Sequence, residues 1–251
     1  MTTMTLSEIW KEFRLLQSVE AFSEAERTFL ERFLREEHRC RERRRTEYLM
    51  KMSGIGRPKL FDDFDWTFNP KIPRDKIMEF VQTDFLKKPA NLVLVGAAGV
   101  GKTHLATALC HQAVLQGHQT IFITLFDFTS KLAKAKSPYN LIEYYSKVPL
   151  LCLDELGYVV PNKEQADAFF QIISKRTEVR TTIVTTNLIP SQWGEDLRLG
   201  HGLGDPRPAE YERPVHHLRG EVVSEQEVRP KGPNENPMPH PANDKMERPL
   251  D

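Results

Sequence analysis

Lys102 and Thr103 close the run Gly96-Ala97-Ala98-Gly99-Val100-Gly101-Lys102-Thr103, which fills every fixed place of the phosphate-gripping pattern G-x-x-x-x-G-K-[ST] (Walker A). Each fixed residue type has a physical task. Gly96 and Gly101 permit backbone angles that a side chain forbids, so successive N–H groups of the loop turn inward around a β-phosphate. Lys102 brings a positive charge to the β- and γ-phosphates, and the Thr103 hydroxyl is placed to ligate Mg²⁺. A glycine-rich turn joining a strand to a helix is the plain alternative. The context favours phosphate: the apolar, β-branched Asn91–Val95 precedes the loop as a strand, and Lys102–Cys110 follows as a helix whose positive dipole end faces the ligand.

A second set of polar residues sits at strand ends. Pro149-Leu-Leu-Cys-Leu-Asp-Glu155 runs from apolar residues into two carboxylates, the Walker B arrangement. Asp154 is assigned to Mg²⁺, directly or through its water, and Glu155 to orienting or deprotonating the attacking water. Carboxylates end many buried strands, but this pair follows a complete phosphate loop at the distance such folds require. Asn187, closing the strand from Thr181, is placed to contact the γ-phosphate or the nucleophilic water; a turn asparagine is its alternative. The guanine-reading pattern N-K-x-D is absent, so ATP is the expected nucleotide. A small-molecule kinase would require an arginine-bearing lid and a substrate pocket, for which no stretch is a candidate, and the Asp154, Glu155, Asn187 set favours hydrolysis.

These residues demand a scaffold that brings strand ends together. Strands are expected at Asn91–Val95, Thr120–Thr124, Pro149–Glu155 and Thr181–Asn187, with helices at Ile77–Leu86, from Lys102, at Asp127–Ala135, Leu141–Ser146 and Lys163–Arg176. Alternation of this kind gives an α/β fold with a parallel sheet covered on both faces, and such sheets bind ligands at the carboxyl ends of their strands. Ahead of it, Thr5–Lys51 reads as helix with a second start at Ser23-Glu-Ala-Glu26, a small helical domain over residues 1–52. Its second half concentrates arginine. Arg41, Arg43, Arg44 and Arg45 are suited to lie along a DNA backbone, or equally to form a solvated helix face. Residues 53–60 read as a linker and 61–194 as the nucleotide-binding core, with the aromatic Lys59–Trp66 either against the adenine side or simply in the core.

Composition sets limits. The 251 residues carry thirty-five basic and thirty-five acidic side chains, so any DNA-binding surface is local rather than global. Three widely spaced cysteines, Cys40, Cys110 and Cys152, form no metal or redox pair and suit a reducing compartment. No apolar stretch approaches the ~20 residues of a membrane span, and a cytoplasmic protein with no membrane partner is expected.

GAAGVGKTHLATAL, LLCLDELGYVV, FFQIISKR and TTIVTTNLIPSQWG, preceded by FDDFDWTFNP, together resemble the IstB-like helper ATPases of insertion sequences, AAA+ proteins of the DnaC/DnaA branch. The resemblance runs from Leu6 to about Gly194. It implies a three-layer AAA+ fold and an ATPase that assembles on DNA as a homo-oligomer and directs a partner transposase to its target. By position, Gly96–Thr103 are the nucleotide loop, Asp154 and Glu155 the Walker B pair and Asn187 the sensor; Thr177 stands where the pattern places an aromatic. A DnaC-like replicative helicase loader is the near alternative, and a truncated nucleotide-binding remnant without turnover is the alternative of another class.

From Glu195 the family pattern stops. The resemblance calls for an I-L-D-R-L helix, whose arginine reaches a neighbouring subunit's ATP, and a final F-I-x-F-x-G strand, and the chain has neither. Residues 195–251 hold more than half of the prolines and almost no periodic apolar pattern, so they are expected to be disordered and the sheet to lack its last strand. Back-translated and read one base later, the stretch can yield both missing patterns, which points to a frameshift just after Trp193-Gly194.

Overall fold

In the computed structural model, which describes residues 4–68, 72–82, 85–188 and 221–224, the strand ends come together as the sequence requires. The elements run α1 (Leu6–Glu12), α2 (Glu24–Met52), α3 (Arg74–Gln82), β1 (Asn91–Val95), α4 (Lys102–Leu115), β2 (Thr120–Thr124), α5 (Leu125–Ala133), α6 (Pro138–Lys147), β3 (Leu150–Leu156), α7 (Lys163–Arg176), β4 (Thr181–Thr186) and β5 (Glu221–Ser224). Among the described residues the strands form one sheet in the order β2-β3-β4-β1-β5. All pairings are parallel.

Period-two alternation along the strands builds the layers. Val93 and Val95 of β1 join Leu151 and Leu153 of β3 and Val184 of β4 in a core shared with Phe128, Phe169 and Ile173. Leu92 and Leu94, Leu150 and Cys152, and Ile183 face the other way, against Leu105 and Leu109 of α4 and Ile77 and Phe80 of α3. Each fully buried aliphatic side chain contributes roughly 1.5–3 kcal/mol. Cys110 and Cys152 lie in this second layer, both buried, and burial together with the neighbouring Cys110 thiol pushes the Cys152 thiol well above its ordinary range. They are core thiols.

Helix limits differ from expectation where caps decide them. Pro138 opens α6 behind a Ser137 cap, and the Thr124 side chain caps α5, so both start earlier than their apolar spacing suggests. α3 likewise begins at Arg74, and Ile77 N–H bonds Pro73 O at 3.3 Å.

The expectation that the sheet lacks its last strand is corrected by β5. Glu221–Ser224 pairs with β1 in the register Leu92↔Glu221 to Val95↔Ser224. Without it the outer edge of β1 would leave a row of unpaired backbone groups, and the adjacent Val222 and Val223 suit a strand. Two valines among prolines and charges are too short a pattern to read. The rest of the stretch from Glu195 expected to be disordered lies outside the described residues.

In the N-terminal part, capping boxes fix both helix starts: Thr5 with Glu8 for α1 and Ser23 with Glu26 for α2. Ile9, Trp10 and Leu34 form a small core, and Trp10 Nε1 donates to Gln17 O at 2.7 Å. The 29 residues of α2 make a rod of about 44 Å. Its far end is bonded to the core rather than loosely linked. Phe122 N–H of β2 donates to Ser53 O at 2.6 Å, and Gly54, at φ 73°, lies so close that a Cβ would stand 2.5 Å from Phe122 O. No helix among the described residues is long and apolar enough to cross a membrane.

Candidate active site

The phosphate loop leaves β1 and enters α4 through backbone that only glycine adopts easily. Gly99 has φ 81° and Gly101 φ 98°. Gly101 also has no room for a side chain, because a Cβ there would stand 2.6 Å from the Phe64 ring. Phe64 in turn meets Trp66 and His104 edge-on, and His104 Nε2 lies 3.0 Å from Leu60 O. The aromatic stretch therefore braces the loop from outside and belongs to the core, with Phe64 buried.

α4 starts at Gly101 with no side-chain cap, whereas Thr5, Ser23, Thr124, Ser137 and Asn162 cap α1, α2, α5, α6 and α7. Its first amides and dipole are left for an anion. Lys102 Nζ donates to Gly96 O at 2.8 Å and Ala97 O at 2.7 Å, drawing the ammonium across the loop that Ala98, Gly99 and Val100 complete. Gly96 N–H bonds Thr186 O at 3.2 Å and ties the loop to β4.

Register then delivers the acids. β4 lies between β1 and β3, with Val95 paired to Thr186 and Leu156 paired to the same Thr186. Thr103 Oγ1 donates to Asp154 Oδ1 at 3.1 Å. Asp154 is 3% exposed. Hydroxyl and carboxylate form an all-oxygen donor pair suited to Mg²⁺, whose remaining positions waters and phosphates fill. Glu155 points outward from the same edge, its backbone at φ 61°. Asn187 is exposed just past β4, beside the turn after β3: a Cβ on Gly157 would stand 3.3 Å from Asn187 Oδ1. Gly96–Thr103, Asp154, Glu155 and Asn187 thus share one rim, at the carboxyl ends of β1, β3 and β4.

The arginine cluster lies elsewhere, on α2. Arg41 stacks over the Phe13 ring at 4.1 Å and its Nε donates to Glu37 at 2.8 Å. Arg45 donates to Gly117 O at 3.1 Å and lies 3.8 Å from Glu42. All four arginines are exposed, and Arg41 and Arg45 also make these surface contacts within the protein.

Two residues were invisible as candidates. Thr185 of β4 donates its hydroxyl to Asp154 Oδ1 and accepts Glu155 N–H at 3.0 Å; a threonine in a threonine-rich strand carries no signal. Arg176, at the end of α7, is 1% exposed. It donates to the carbonyls of Tyr145 at 2.9 Å, Val148 at 2.6 Å and Thr181, and to Thr182 Oγ1 at 3.0 Å. Burial, with a smaller push from Arg180, lowers its pKa to about 9, so it stays charged at neutral pH. Its role is to lock the α6–β3 turn to the start of β4.

The family model described as IstB-like ATP binding protein matches residues 4–224. The ATP-binding protein of insertion sequence IS232 from Bacillus thuringiensis subsp. berliner is 36% identical over 182 residues, 70% of this chain and 70% of that one. That of IS21 from Pseudomonas aeruginosa is 37% identical over 172 residues, 67% of this chain and 65% of its own length. Among solved structures, AMPPCP-bound DnaA from Aquifex aeolicus shares the fold, with a TM-score of 0.55 at 18% identity over 68% of this chain and 51% of that one.

Proposed function

The chain belongs to the IstB-like ATP-binding protein family, and from that premise we propose that it is a cytoplasmic, ATP-hydrolysing, DNA-associated helper of an insertion sequence, assisting a transposase in target selection as a homo-oligomer. The observation that carries this reading is the meeting of Thr103 and Asp154 at 3.1 Å on the rim that also holds Lys102, Glu155 and Asn187. A nucleotide-binding loop alone would need no outward carboxylate beside the metal ligands.

In this reading the loop amides beyond Gly96, whose own N–H is held by Thr186 O, ring the β-phosphate, and the Lys102 ammonium exchanges loop carbonyls for β- and γ-phosphate oxygens. Thr103 and Asp154 would hold Mg²⁺, which when bound would neutralise charge on the phosphates. Glu155 orients the attacking water or takes its proton, and Asn187 steadies that water or the γ-phosphate. DNA contact falls to Arg43 and Arg44, with Arg41 and Arg45 holding the helix that presents them.

For the tail we infer a change of reading frame after Gly194. The missing I-L-D-R-L pattern supports it, while β5 and a family match that reaches residue 224 run against it. Codons of the natural gene that cannot yield the shifted reading would end the idea.

The function is tested by retention on duplex DNA with and without ATP, in the presence of a transposase from an insertion sequence of this family. ATP-dependent DNA retention that brings the transposase with it is expected. Capture of a replicative helicase in its place would move the protein to the helicase-loader reading, and ATP binding with no effect on either would leave a nucleotide-binding remnant.

A further inference from the structure

The ladder between β3 and β4 slips at the acids. Leu153 pairs with Val184, yet Leu156 pairs with Thr186, so three steps along β3 oppose two along β4. The extra residue leaves Glu155 at φ 61°, a conformation that is unfavourable for a non-glycine residue. It also takes the Glu155 N–H out of the regular ladder. A side chain meets that amide: Thr185 Oγ1 accepts it at 3.0 Å.

A hydroxyl has a single proton to give. With Glu155 N–H on its lone pair, Thr185 directs that proton to Asp154 Oδ1, the oxygen that Thr103 Oγ1 also reaches, at 3.1 Å. Thr185 is 1% exposed, so bulk water does not compete for these bonds. The next residue secures the exit of the bulge: Thr186 Oγ1 donates to Leu156 O at 2.8 Å and accepts Leu188 N–H at 3.0 Å.

We propose that Thr185 is a positioning residue of the hydrolytic site, one hydroxyl fixing both the carboxylate of Asp154 as a metal ligand and the strained backbone that aims Glu155 outward. The inference rests on the ATPase reading and deepens it. Thr185→Val keeps the shape but strands the Glu155 amide and removes a donor from Asp154.

The test compares the full-length parent with Thr185→Val, Thr185→Ala and Thr185→Ser, titrating Mg²⁺ against binding of a non-hydrolysable ATP analogue and, separately, measuring kcat and KM. Val and Ala should raise the Mg²⁺ requirement ~10–100-fold and lower kcat with little change in the KM for ATP, and Ser should restore both. Because the Mg²⁺ titration needs no turnover, a parent that binds but does not hydrolyse would sink the ATPase reading while still testing Thr185. Parental Mg²⁺ dependence in folded Val or Ala variants, or a Ser variant as impaired as Val, would overturn the proposal. Hydrogen exchange in the parent stands apart from every variant: the Glu155 amide should exchange slowly, and exchange at the rate of an exposed loop would refute the bond on which the inference stands.

Discussion

The phosphate loop and the arginine run of α2 both draw the eye in the sequence, yet the protein uses them in opposite ways. At Gly96–Thr103 the fold leaves the start of α4 without a side-chain cap, and the side chains of Lys102 and Thr103 bond to groups of the rim itself. On α2 the fold spends much of what it has, with Arg41 given to Phe13 and Glu37 and Arg45 to Gly117 and Glu42. An ordered motif on a strand–loop–helix frame has a geometry that only a ligand completes. A cluster defined by composition has no such requirement, and each member must be placed before it can be assigned.

That contrast is sharpest at the rim. Glu155→Gln keeps shape and hydrogen bonding but cannot take a proton, so turnover should fall by ~10²–10⁴ while ATP stays bound, as single-turnover kinetics beside a nucleotide titration would show. Lys102→Ala removes the charge that meets the phosphates and should weaken ATP by ~10²-fold in the same titration. Unchanged affinity would erase the distinction between a loop kept for a ligand and a cluster kept for packing.

Arg176 extends the comparison to an arginine used wholly inside the protein. Arg176→Met leaves several carbonyls without a donor, a loss of about 3–5 kcal/mol that should lower Tm by roughly 10 °C and leave the nucleotide titration of the surviving folded fraction unchanged.

The smallest effects should divide the cluster itself. Reversing Arg43 and Arg44 to Glu should reduce the slope of log DNA affinity against log salt by about 2, near one unit for each phosphate left without its arginine. Arg45→Ala should hardly change that slope and instead cost up to ~1 kcal/mol of stability by freeing α2 from Gly117. An effect on DNA from Arg45→Ala as large per residue as that of the Arg43 and Arg44 reversal would mean that position on α2 does not decide the role.

Much of this molecule was legible because its local signals agree. β1, β2 and α7 fall where the residues place them, and the Ser23 capping box marks the start of α2. The rim was legible because phosphate chemistry ties residue types to fixed spacing. What stayed hidden depends on partners distant in sequence. Thr185 is one threonine among several until the bulge in β3 sets it against Glu155. Arg176 looks like any basic residue in a last helical turn until α6 and β4 close over it. β5 is too short to announce itself, since it exists only because the edge of β1 gives it something to pair with. Likewise nothing in Ser53-Gly54 says that the joint between helix and core is bonded to β2.

ATP hydrolysis by the purified 251-residue chain, measured with and without Mg²⁺ and DNA beside Glu155→Gln, tests the central claim most directly. Mg²⁺-dependent turnover that rises with DNA in the parent, and nucleotide binding with almost no turnover in the variant, is the predicted result. Turnover in Glu155→Gln at the parental rate, or a parent that binds ATP and never hydrolyses it, would contradict the claim that this rim is built for hydrolysis.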